Sequence, residues 1–504
     1  MINTNLRPSI RPIMTILPQP SALITLFENA GEMPGLRDRL CTVLRQAINT
    51  GALAVGQRLP SSRMLAADLK LSRITVEAAY AQIEAEGYLQ RQTGKGTFVS
   101  QSLPRPSAPR ANGSAPAKLS TLSARGRNIV ATGGCNDPLF PKAFAAGSPD
   151  LRAFPLKVWK QITAKQLRTH GERLLGYGDP QGYSPLRQAI AGYLQQSRGV
   201  LCSADHIMIT TSSQQALQLL SMLLIDPNDT VWLEEPGYPG ARNAFTSAGA
   251  RLCAIPVDEQ GINPAADSPS PRLIYLTPSH HYPTGVSLSL PRRLHLLDYA
   301  RRHESWIIED DYDSELHYDG RPLPAMQGLD KHQQVIYLGT FSKVLFPSLR
   351  LAYIVLPPSL VAPMVTLRTV SDGHSSQLMQ AVTAEFMQSG HFASHLRLSR
   401  QLYHSRRDHL LEQIRQKIDW LTPQVAAGGL QLAAHLPAGQ EQRLSALAAK
   451  AGVETPRLSP LFLNQSEPYA LHRDGWLLGF SALTPAEITF AVNRLAALDT
   501  GAIS

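Results

Sequence analysis

Apolar residues recur every three or four positions in the first hundred residues, which is the spacing of amphipathic helices. Three such segments lie within residues 35–87 and predict three helices. Ser61 or Ser62 is placed to cap the second of them. Segments 88–92 and 96–99 then alternate apolar and polar residues, which predicts a β-hairpin.

From about residue 131 the pattern changes to short apolar runs separated by helical stretches. This alternation predicts a mainly parallel α/β sheet. The part from about Met364 onward is predicted to be a helix-rich subdomain, with a strand near Trp476–Phe480. The predicted sheet strands cover residues 206–210, 230–233, 272–276, 305–308 and 335–338.

Composition divides the chain into four segments. Residues 1–34 are predicted to be an N-terminal extension, 35–100 a small domain, 101–130 a linker and 131–504 a large domain. The linker is rich in Pro, Ser and Ala and has few bulky apolar residues. It cannot bury enough surface to offset the entropy of ordering, so we expect a flexible tether.

Overall composition is that of a soluble protein, with 504 residues, 43% apolar and 17% charged. No apolar run is long enough to span a membrane, and the N-terminus lacks a signal-peptide pattern. The cysteines, at positions 41, 135, 202 and 253, include no CxxC pair. They predict reduced thiols of a cytoplasmic protein, with neither a disulfide framework nor a metal site.

Charge is distributed unevenly along the chain. Residues 1–130 hold 16 Lys and Arg against 7 Asp and Glu, whereas the remainder holds 32 of each sign. The whole positive excess therefore lies in the first quarter, which indicates a polyanionic partner for that part. A basic solubility tail is the alternative explanation of the charge, and a three-helix interaction module is the alternative to a DNA-binding domain.

Two short helices joined by a tight turn predict a helix-turn-helix. Arg73 and Thr75, at the start of its second helix, would face the major groove of DNA. Arg63 and the tip of the hairpin would contact phosphates or the minor groove.

The end of strand 335–338 delivers Lys343 into a run of hydroxyl side chains, with Arg350 seven residues further on. A desolvated lysine suits Schiff-base chemistry, and hydroxyls with an arginine suit a phosphate. The alternative is a surface lysine in a loop rich in Ser and Thr. The turn at Ser213, which follows strand 206–210 and opens a helix, is a second candidate phosphate site.

Two further strand ends carry chemistry. Asp310 follows strand 305–308, where a carboxylate could keep a pyridine nitrogen protonated, and Tyr312 could reach the phenolic oxygen of the same ring. The neighbouring carboxylates lack the glycine and spacing of a calcium loop. Tyr238, after strand 230–233, could stack on a planar cofactor, although loop tyrosines commonly pack on their neighbours.

The stretch from Gly56 to Val99 resembles the GntR-type winged-helix DNA-binding domain. Glu77 stands where some relatives carry a basic residue, which would change affinity or sequence preference. The resemblance places five residues at DNA-contacting positions: Arg63, Ser72, Arg73, Thr75 and Gly94.

Six motifs of the large domain resemble fold-type I, aminotransferase-like proteins that use pyridoxal 5'-phosphate (PLP). They are YGDPQGYSPLR, TTSSQQAL, EEPGYPG, TPSHHYPTG, EDDYDSEL and GTFSKVLFPSLRLAY, in the family's order. Together with the winged helix, they identify the chain as a member of the MocR-type GntR regulators. Departures are Ser348 and Ala352 in place of glycines, and His281-Tyr282 in place of the commoner Gln-Phe.

This resemblance implies a role for each motif residue. Lys343 would hold PLP as a Schiff base, Asp310 would pair with the pyridine nitrogen, Tyr312 with the phenolic oxygen, and Tyr238 would stack on the ring. Tyr177 would reach the phosphate of a partner subunit in a head-to-tail homodimer. The phosphate would be held by Ser213, Gln214, Thr340, Ser342 and Arg350.

Related enzymes bind the substrate carboxylate with an arginine from the C-terminal part. Arg473 is the candidate here and Arg397 a weaker one, with a surface arginine as the alternative for either. The resemblance implies a PLP-dependent transcriptional regulator that senses PLP, an amino compound or both by imine exchange at Lys343. An active aminotransferase with an attached DNA-binding domain is the alternative.

Overall fold

The computed structural model describes residues 20–30, 35–100, 122–135, 143–320, 323–464 and 473–498. The chain divides into two compact units, Met1–Lys118 and Leu119–Ser504. Within the described residues, no helix combines the length and the hydropathy needed to cross a membrane.

The N-terminal unit contains the predicted three helices and hairpin, which are confirmed. Ser61 rather than Ser62 caps the second helix, since its side chain accepts a hydrogen bond from the Met64 amide. The elements are α1 Pro20–Asn29, α2 Leu36–Asn49, α3 Ser62–Asp68, α4 Arg73–Ala85, β1 Leu89–Gln92 and β2 Gly96–Val99.

Helix α1 lies in the segment predicted to be an N-terminal extension, and it packs against the small domain that follows it. Leu23 and Phe27 are buried in the apolar core of the N-terminal unit. Arg39 donates a 2.7 Å hydrogen bond to the Phe27 carbonyl and lies over its ring. The short apolar run before Gly31 therefore joins the core, because it covers a face that α2 would otherwise expose.

The large unit is built on an eight-stranded sheet of order β3-β10-β9-β8-β7-β4-β5-β6. Strand β10 is antiparallel to both of its neighbours and β6 is antiparallel to β5, while the other pairs are parallel. The strands are β3 Ile207–Thr210, β4 Thr230–Glu235, β5 Arg251–Asp258, β6 Gly261–Ile262, β7 Leu273–Leu276, β8 Trp306–Asp311, β9 Val335–Thr340 and β10 Ala352–Val355.

Helices cover this sheet and form the C-terminal subdomain, which also contains a second sheet of order β11-β12-β13. Only β13 of that small sheet was predicted. The helices are α5 Ala124–Ala131, α6 Leu156–Leu175, α7 Ser184–Arg198, α8 Ser213–Leu224, α9 Pro239–Ala248, α10 Leu290–His303, α11 Pro358–Ser371, α12 Gln377–Gln388, α13 His391–Lys417, α14 Glu441–Lys450 and α15 Pro485–Ala496. The strands are β11 Thr422–Pro423, β12 Gln431–His435 and β13 Gly475–Gly479.

Helix α5 falls within the segment predicted to be a flexible linker. Ser123 caps it by accepting a 3.0 Å hydrogen bond from the Gly126 amide, and the helix packs against α9. These residues of the predicted tether are therefore helical, with the Ser123 cap satisfying an N-terminal amide and α9 as a neighbour, although none of their side chains is buried. Residues 101–121 of the predicted linker lie outside the described residues.

Strand register brings the polar strand ends together at one edge of the large sheet. Ala352 at the start of β10 pairs with Thr210 on β3 and with Thr340 on β9. Asp310, near the end of β8, pairs with Leu338 on β9. The turns that follow β3, β8 and β9 therefore open onto the same side of the molecule.

Candidate functional site

A cavity of about 350 Å³ lies at this edge of the sheet. Nine of the ten residues predicted to hold the cofactor line it, while Tyr177 does not. The nine are Ser213, Gln214, Tyr238, Asp310, Tyr312, Thr340, Ser342, Lys343 and Arg350.

Lys343 reaches the cavity from the turn after β9. Its Nζ donates a 3.0 Å hydrogen bond to the carbonyl of Gly147. Gly147 has a φ of +75°, and a Cβ on it would lie only 2.8 Å from that Nζ. The lysine is therefore held by a backbone acceptor at a position where an added Cβ would force its Nζ to move, and where the left-handed backbone favours glycine.

Asp310 is buried at 4% exposure beside the lysine. Tyr275 donates a 2.7 Å hydrogen bond to its Oδ2, while Oδ1 has no hydrogen-bond partner among the described residues. Burial raises the pKa of this carboxyl to about 7, against the opposing effect of the Tyr275 hydrogen bond. A buried carboxyl oxygen without a partner, on a residue that lines a cavity, fits a protonated ring nitrogen.

Hydroxyls and amides converge at the other end of the cavity. Ser212 caps α8 by accepting a hydrogen bond from the Gln215 amide, which leaves Ser213 at the first position of the helix. The amide of Ser342 donates to the Thr340 hydroxyl at 3.1 Å. A helix N-terminus with hydroxyl neighbours is a favourable anion site, so these residues fit a phosphate.

Arg350, at the same end of the cavity, adopts a left-handed backbone conformation with a φ of +53°. Ser348, where the family carries glycine, lies in the 3₁₀ turn Pro347–Leu349 and is not among the described residues with positive φ. The serine therefore causes no backbone strain. The strained position is Arg350. Anion binding by its side chain would offset the free energy of this backbone strain.

Four tyrosines line the cavity, and besides Tyr275 they form an aromatic group of Tyr238, Tyr282 and Tyr312. The ring of Tyr282 stands edge-on to Tyr238, with centroids 5.6 Å apart, and to Tyr312 at 6.3 Å. The Tyr312 hydroxyl lies 3.3 Å from Nδ1 of His280. The same nitrogen is hydrogen-bonded to Oδ2 of Asp313 at 2.9 Å. Burial opposes protonation of His280, but the charge of Asp313 outweighs it and raises the histidine pKa.

The adjacent His281 is a structural residue. Its Nε2 donates to the Pro236 carbonyl at 3.0 Å, and Nδ1 accepts from the Thr284 hydroxyl at 2.7 Å. Burial lowers its pKa to about 3, so the ring is neutral. No group of His, Cys, Asp and Glu side chains able to hold a metal occurs in the part of the chain that the structure describes.

Among the other residues that line the cavity, sequence reasoning did not single out Gly147, Tyr275 and Gln431, while Thr277 is the first residue of the motif TPSHHYPTG. Thr277 donates its amide and hydroxyl to the buried Glu234, whose pKa burial raises to about 8. A polar group within an otherwise apolar strand was the available signal for Tyr275 on β7 and for Gln431 on β12.

Three other predicted residues lie outside the cavity. Tyr177 is 102% exposed, with its ring edge-on to His374. Arg473 lies over the ring of Phe462, 5.5 Å from its centroid, and does not line the cavity. Arg397 is an exposed residue of α13.

In the N-terminal unit, the predicted DNA-contacting residues cluster at the start of α4 and at the hairpin. Ser72 caps α4 by accepting a 3.1 Å hydrogen bond from the Thr75 amide. Arg73 pairs through Nε with Glu77 at 2.9 Å, and Ser62 donates to the same carboxylate oxygen at 3.1 Å.

The other two predicted DNA-contacting residues are on the surface. Arg63 is exposed, and Gly94 has a φ of +76° at the tip of the hairpin. A left-handed glycine allows the tight turn that closes the hairpin at this point.

Comparison with known proteins accounts for both units. Residues 36–99 match the family of bacterial regulatory proteins, gntR family, and residues 143–463 match aminotransferase class I and II. The chain is 40% identical over 457 residues to the probable rhizopine catabolism regulatory protein MocR of Rhizobium meliloti, covering 90% of this chain and 91% of that protein. The chain belongs to the MocR-type GntR regulators.

A second regulator and a solved aminotransferase are similar over about three quarters of the chain. The pyridoxine biosynthesis transcriptional regulator PdxR of Corynebacterium glutamicum is 31% identical, over 75% of this chain and 79% of that protein. The structure of LysN, an α-aminoadipate aminotransferase from Thermus thermophilus, has a TM-score of 0.65 at 29% identity. It covers 74% of this chain and 94% of the LysN chain. The predicted fold class is confirmed, and the cofactor of this MocR-type chain is PLP.

Proposed function

We propose that this chain is a cytoplasmic transcriptional regulator whose large unit senses PLP, an amino compound or both, and thereby controls DNA binding by the winged helix. The observation that supports this most directly is the presence of an intact cofactor cavity and a helix-turn-helix in one chain. A ligand that alters DNA binding must, by linkage, itself bind with an affinity that depends on DNA.

In this proposal different cavity residues bind different parts of the cofactor. PLP supplies an electrophilic aldehyde that reacts with primary amines. Asp310 would hold the ring nitrogen protonated through Oδ1, Tyr312 would bind the phenolic oxygen and Tyr238 would stack on the ring. Ser213, Gln214, Thr340, Ser342 and Arg350 would bind the phosphate.

Lys343 is the proposed attachment point. Its Nζ is held against the Gly147 carbonyl, and its charge acts on Asp310, which lines the same cavity. An arriving amine would release this lysine from the cofactor, and the change around Lys343 is the proposed signal to the DNA-binding unit.

The proposed assembly is a head-to-tail homodimer. Tyr177 is fully exposed and lies away from the cavity of its own chain, so in the dimer it would reach the phosphate bound by the partner subunit. Mixing Tyr177→Phe and Arg350→Ala chains should restore tight PLP binding in half of the sites of the mixed dimers. Recovery no greater than in either variant alone would contradict a shared site.

The proposed DNA contacts are made by the start of α4 and by the hairpin. Arg73 and Thr75 would reach base edges, Ser72 would contact a phosphate in addition to capping α4, and Arg63 and Gly94 would contact the backbone.

The test is to select an operator from random DNA and to titrate it with the protein in the presence and absence of PLP and of candidate amines. We expect the bound cofactor's absorbance and the operator affinity to change together. Lys343→Ala should abolish the amine response, whereas the exposed Lys331→Ala should retain it. The proposal would be contradicted if the operator affinity did not change on addition of PLP or of any amine tested.

A second candidate function is catalytic transamination. Its support is the complete set of motif residues around Lys343 and the similarity to solved aminotransferases. Sustained turnover of an amino acid with a keto acid, abolished by Lys343→Ala, would establish it.

A further inference from the structure

Gln431, the first residue of β12, lines the cofactor cavity without having a role in the proposed cofactor binding. It is 5% exposed, and its Oε1 has no hydrogen-bond partner among the described residues. Leaving a buried carbonyl oxygen without a hydrogen-bond donor is unfavourable. An amide buried in this way indicates that a ligand supplies the missing donor.

The position of Oε1 places that ligand next to Lys343. A Cβ on Gly147 would lie 2.8 Å from Nζ of Lys343 and 3.6 Å from Oε1 of Gln431. Both atoms therefore lie close to the same position beside Gly147. The Gly147 carbonyl, which accepts from Nζ, is a second acceptor there. Two acceptors beside the reactive lysine favour a ligand rich in donors.

The charges of the cavity wall also favour a ligand rich in neutral hydrogen-bond donors over one with a carboxylate. Among the described residues that line the cavity, the cationic side chains are Lys343 and Arg350, and Arg350 lies at the proposed phosphate end. Arg473, expected to bind a carboxylate, lies instead over Phe462 and near Glu235.

Part of the wall next to Gln431 is apolar. Ala146 and the ring of Tyr282 line the cavity and pack against a buried cluster that includes Leu458 and Leu477. A carboxylate placed between Oε1 of Gln431 and the Gly147 carbonyl would face two acceptor oxygens, which is unfavourable because its charge would lose water without gaining a donor from either of them.

We propose that Gln431 and the Gly147 carbonyl form an effector subsite that selects a primary amine carrying a neutral hydrogen-bond donor, such as a hydroxyl, over an α-amino acid. This inference rests on the proposed amine-sensing function and adds the chemical class of the effector. Gln431 is the specificity-determining residue, and it acts by contacting the effector rather than the cofactor.

Three amines of one carbon skeleton test this: serinol, with two hydroxyls; L-serine, with a carboxylate in place of one hydroxymethyl group; and isopropylamine, with neither. Each is titrated into the full-length, PLP-loaded protein while absorbance and heat of binding are followed. We expect serinol to bind about tenfold more tightly than isopropylamine, the value of one good hydrogen bond, and more tightly than L-serine.

Gln431→Leu keeps the side-chain size but removes the acceptor. It should weaken serinol binding about tenfold and leave isopropylamine and PLP affinities within about twofold. Gln424→Leu, a neighbouring position that does not line the cavity, is the matched control. Gln431→Ala serves as the second variant if the leucine perturbs folding.

The outcomes separate the two proposals. L-serine binding more tightly than serinol, equal losses for serinol and isopropylamine in Gln431→Leu, or no response to any of the amines would overturn the effector subsite. The proposed PLP-dependent regulation would survive these results if PLP itself still altered operator binding. Loss of the PLP effect on operator binding would instead remove the function on which the subsite depends.

Discussion

Tyr275 donates a 2.7 Å hydrogen bond to Oδ2 of Asp310, which leaves Oδ1 of this cavity-lining carboxyl group without a hydrogen-bond partner among the described residues. The pair joins neighbouring parallel strands, since β7 and β8 lie side by side in the sheet. The tyrosine favours the ionised carboxylate, whereas burial favours the protonated acid. As a result, the pKa of Asp310 is about 7, close to neutral pH.

Tyr275→Phe should weaken PLP binding about fivefold, because the carboxylate that receives the ring nitrogen loses its donor. Asp310→Asn should weaken it about a hundredfold, the value of a hydrogen bond to a charged group. Titration of the unloaded protein with PLP measures both. Tyr337→Phe is the control, since Tyr337 donates at 2.6 Å to the neighbouring Asp311 instead. An equal loss in this control would show that the effect of Tyr275 is general destabilisation.

The pH dependence of stability should reveal the same carboxyl group. In the unloaded protein the folded-state pKa of Asp310 is about 7, above its ordinary value of 3.8, so the folded state keeps a proton that the unfolded state has lost. This contribution to stability is complete below about pH 4 and is lost as the pH rises to about 7. The free energy of unfolding of Asp310→Asn should therefore rise by a few kcal/mol relative to that of the wild type as the pH increases from about 4 to about 7. Denaturant unfolding of both proteins between about pH 5 and 8 tests this, and a difference independent of pH would contradict the buried acid.

Sequence patterns predicted the elements that carry the site because strand ends and helix caps are local signals. Lys343 was placed after β9, and the Ser213 turn before α8, from a few residues of apolar pattern and a hydroxyl run. The parallel sheet then brings such ends to one edge, whatever the order of the strands. That is why nine predicted residues meet in one cavity.

Residues that act through distant packing could not be predicted in this way. Gly147 and Gln431 are far apart in the chain and meet Lys343 only because β12 and the segment after Phe144 pack beside the large sheet. Arg473 was chosen for its position before a strand, but its side chain lies over Phe462 rather than in the cavity. Helix α1 was missed because its contribution lies in covering α2, a tertiary effect without a strong local signal.

Gly147→Ala should reduce the attachment of PLP at Lys343. The new methyl group would lie 2.8 Å from Nζ, closer than van der Waals contact allows, and the φ of +75° adds backbone strain. Gly439→Ala isolates the strain, because Gly439 has a φ of +76° and open space around it. We expect a loss of about 1 kcal/mol in unfolding free energy for both variants, but slower reaction of Lys343 with PLP for Gly147→Ala alone. Equal attachment rates would show that Nζ does not need this contact.

Arg63 and Arg73 should make different contributions to DNA binding. Arg73 is already paired with Glu77, which is fixed in turn by Ser62, so its terminal nitrogens are oriented for a base edge. Arg73→Ala should weaken operator binding about 10- to 100-fold and leave binding to random DNA almost unchanged. Arg63→Ala should weaken binding to both DNAs and reduce the salt dependence by about one counterion, as expected for a phosphate contact. Affinities measured on operator and random DNA over a salt series distinguish the two. If Arg73→Ala lowered both affinities equally and changed the salt slope, Arg73 would instead be a phosphate contact.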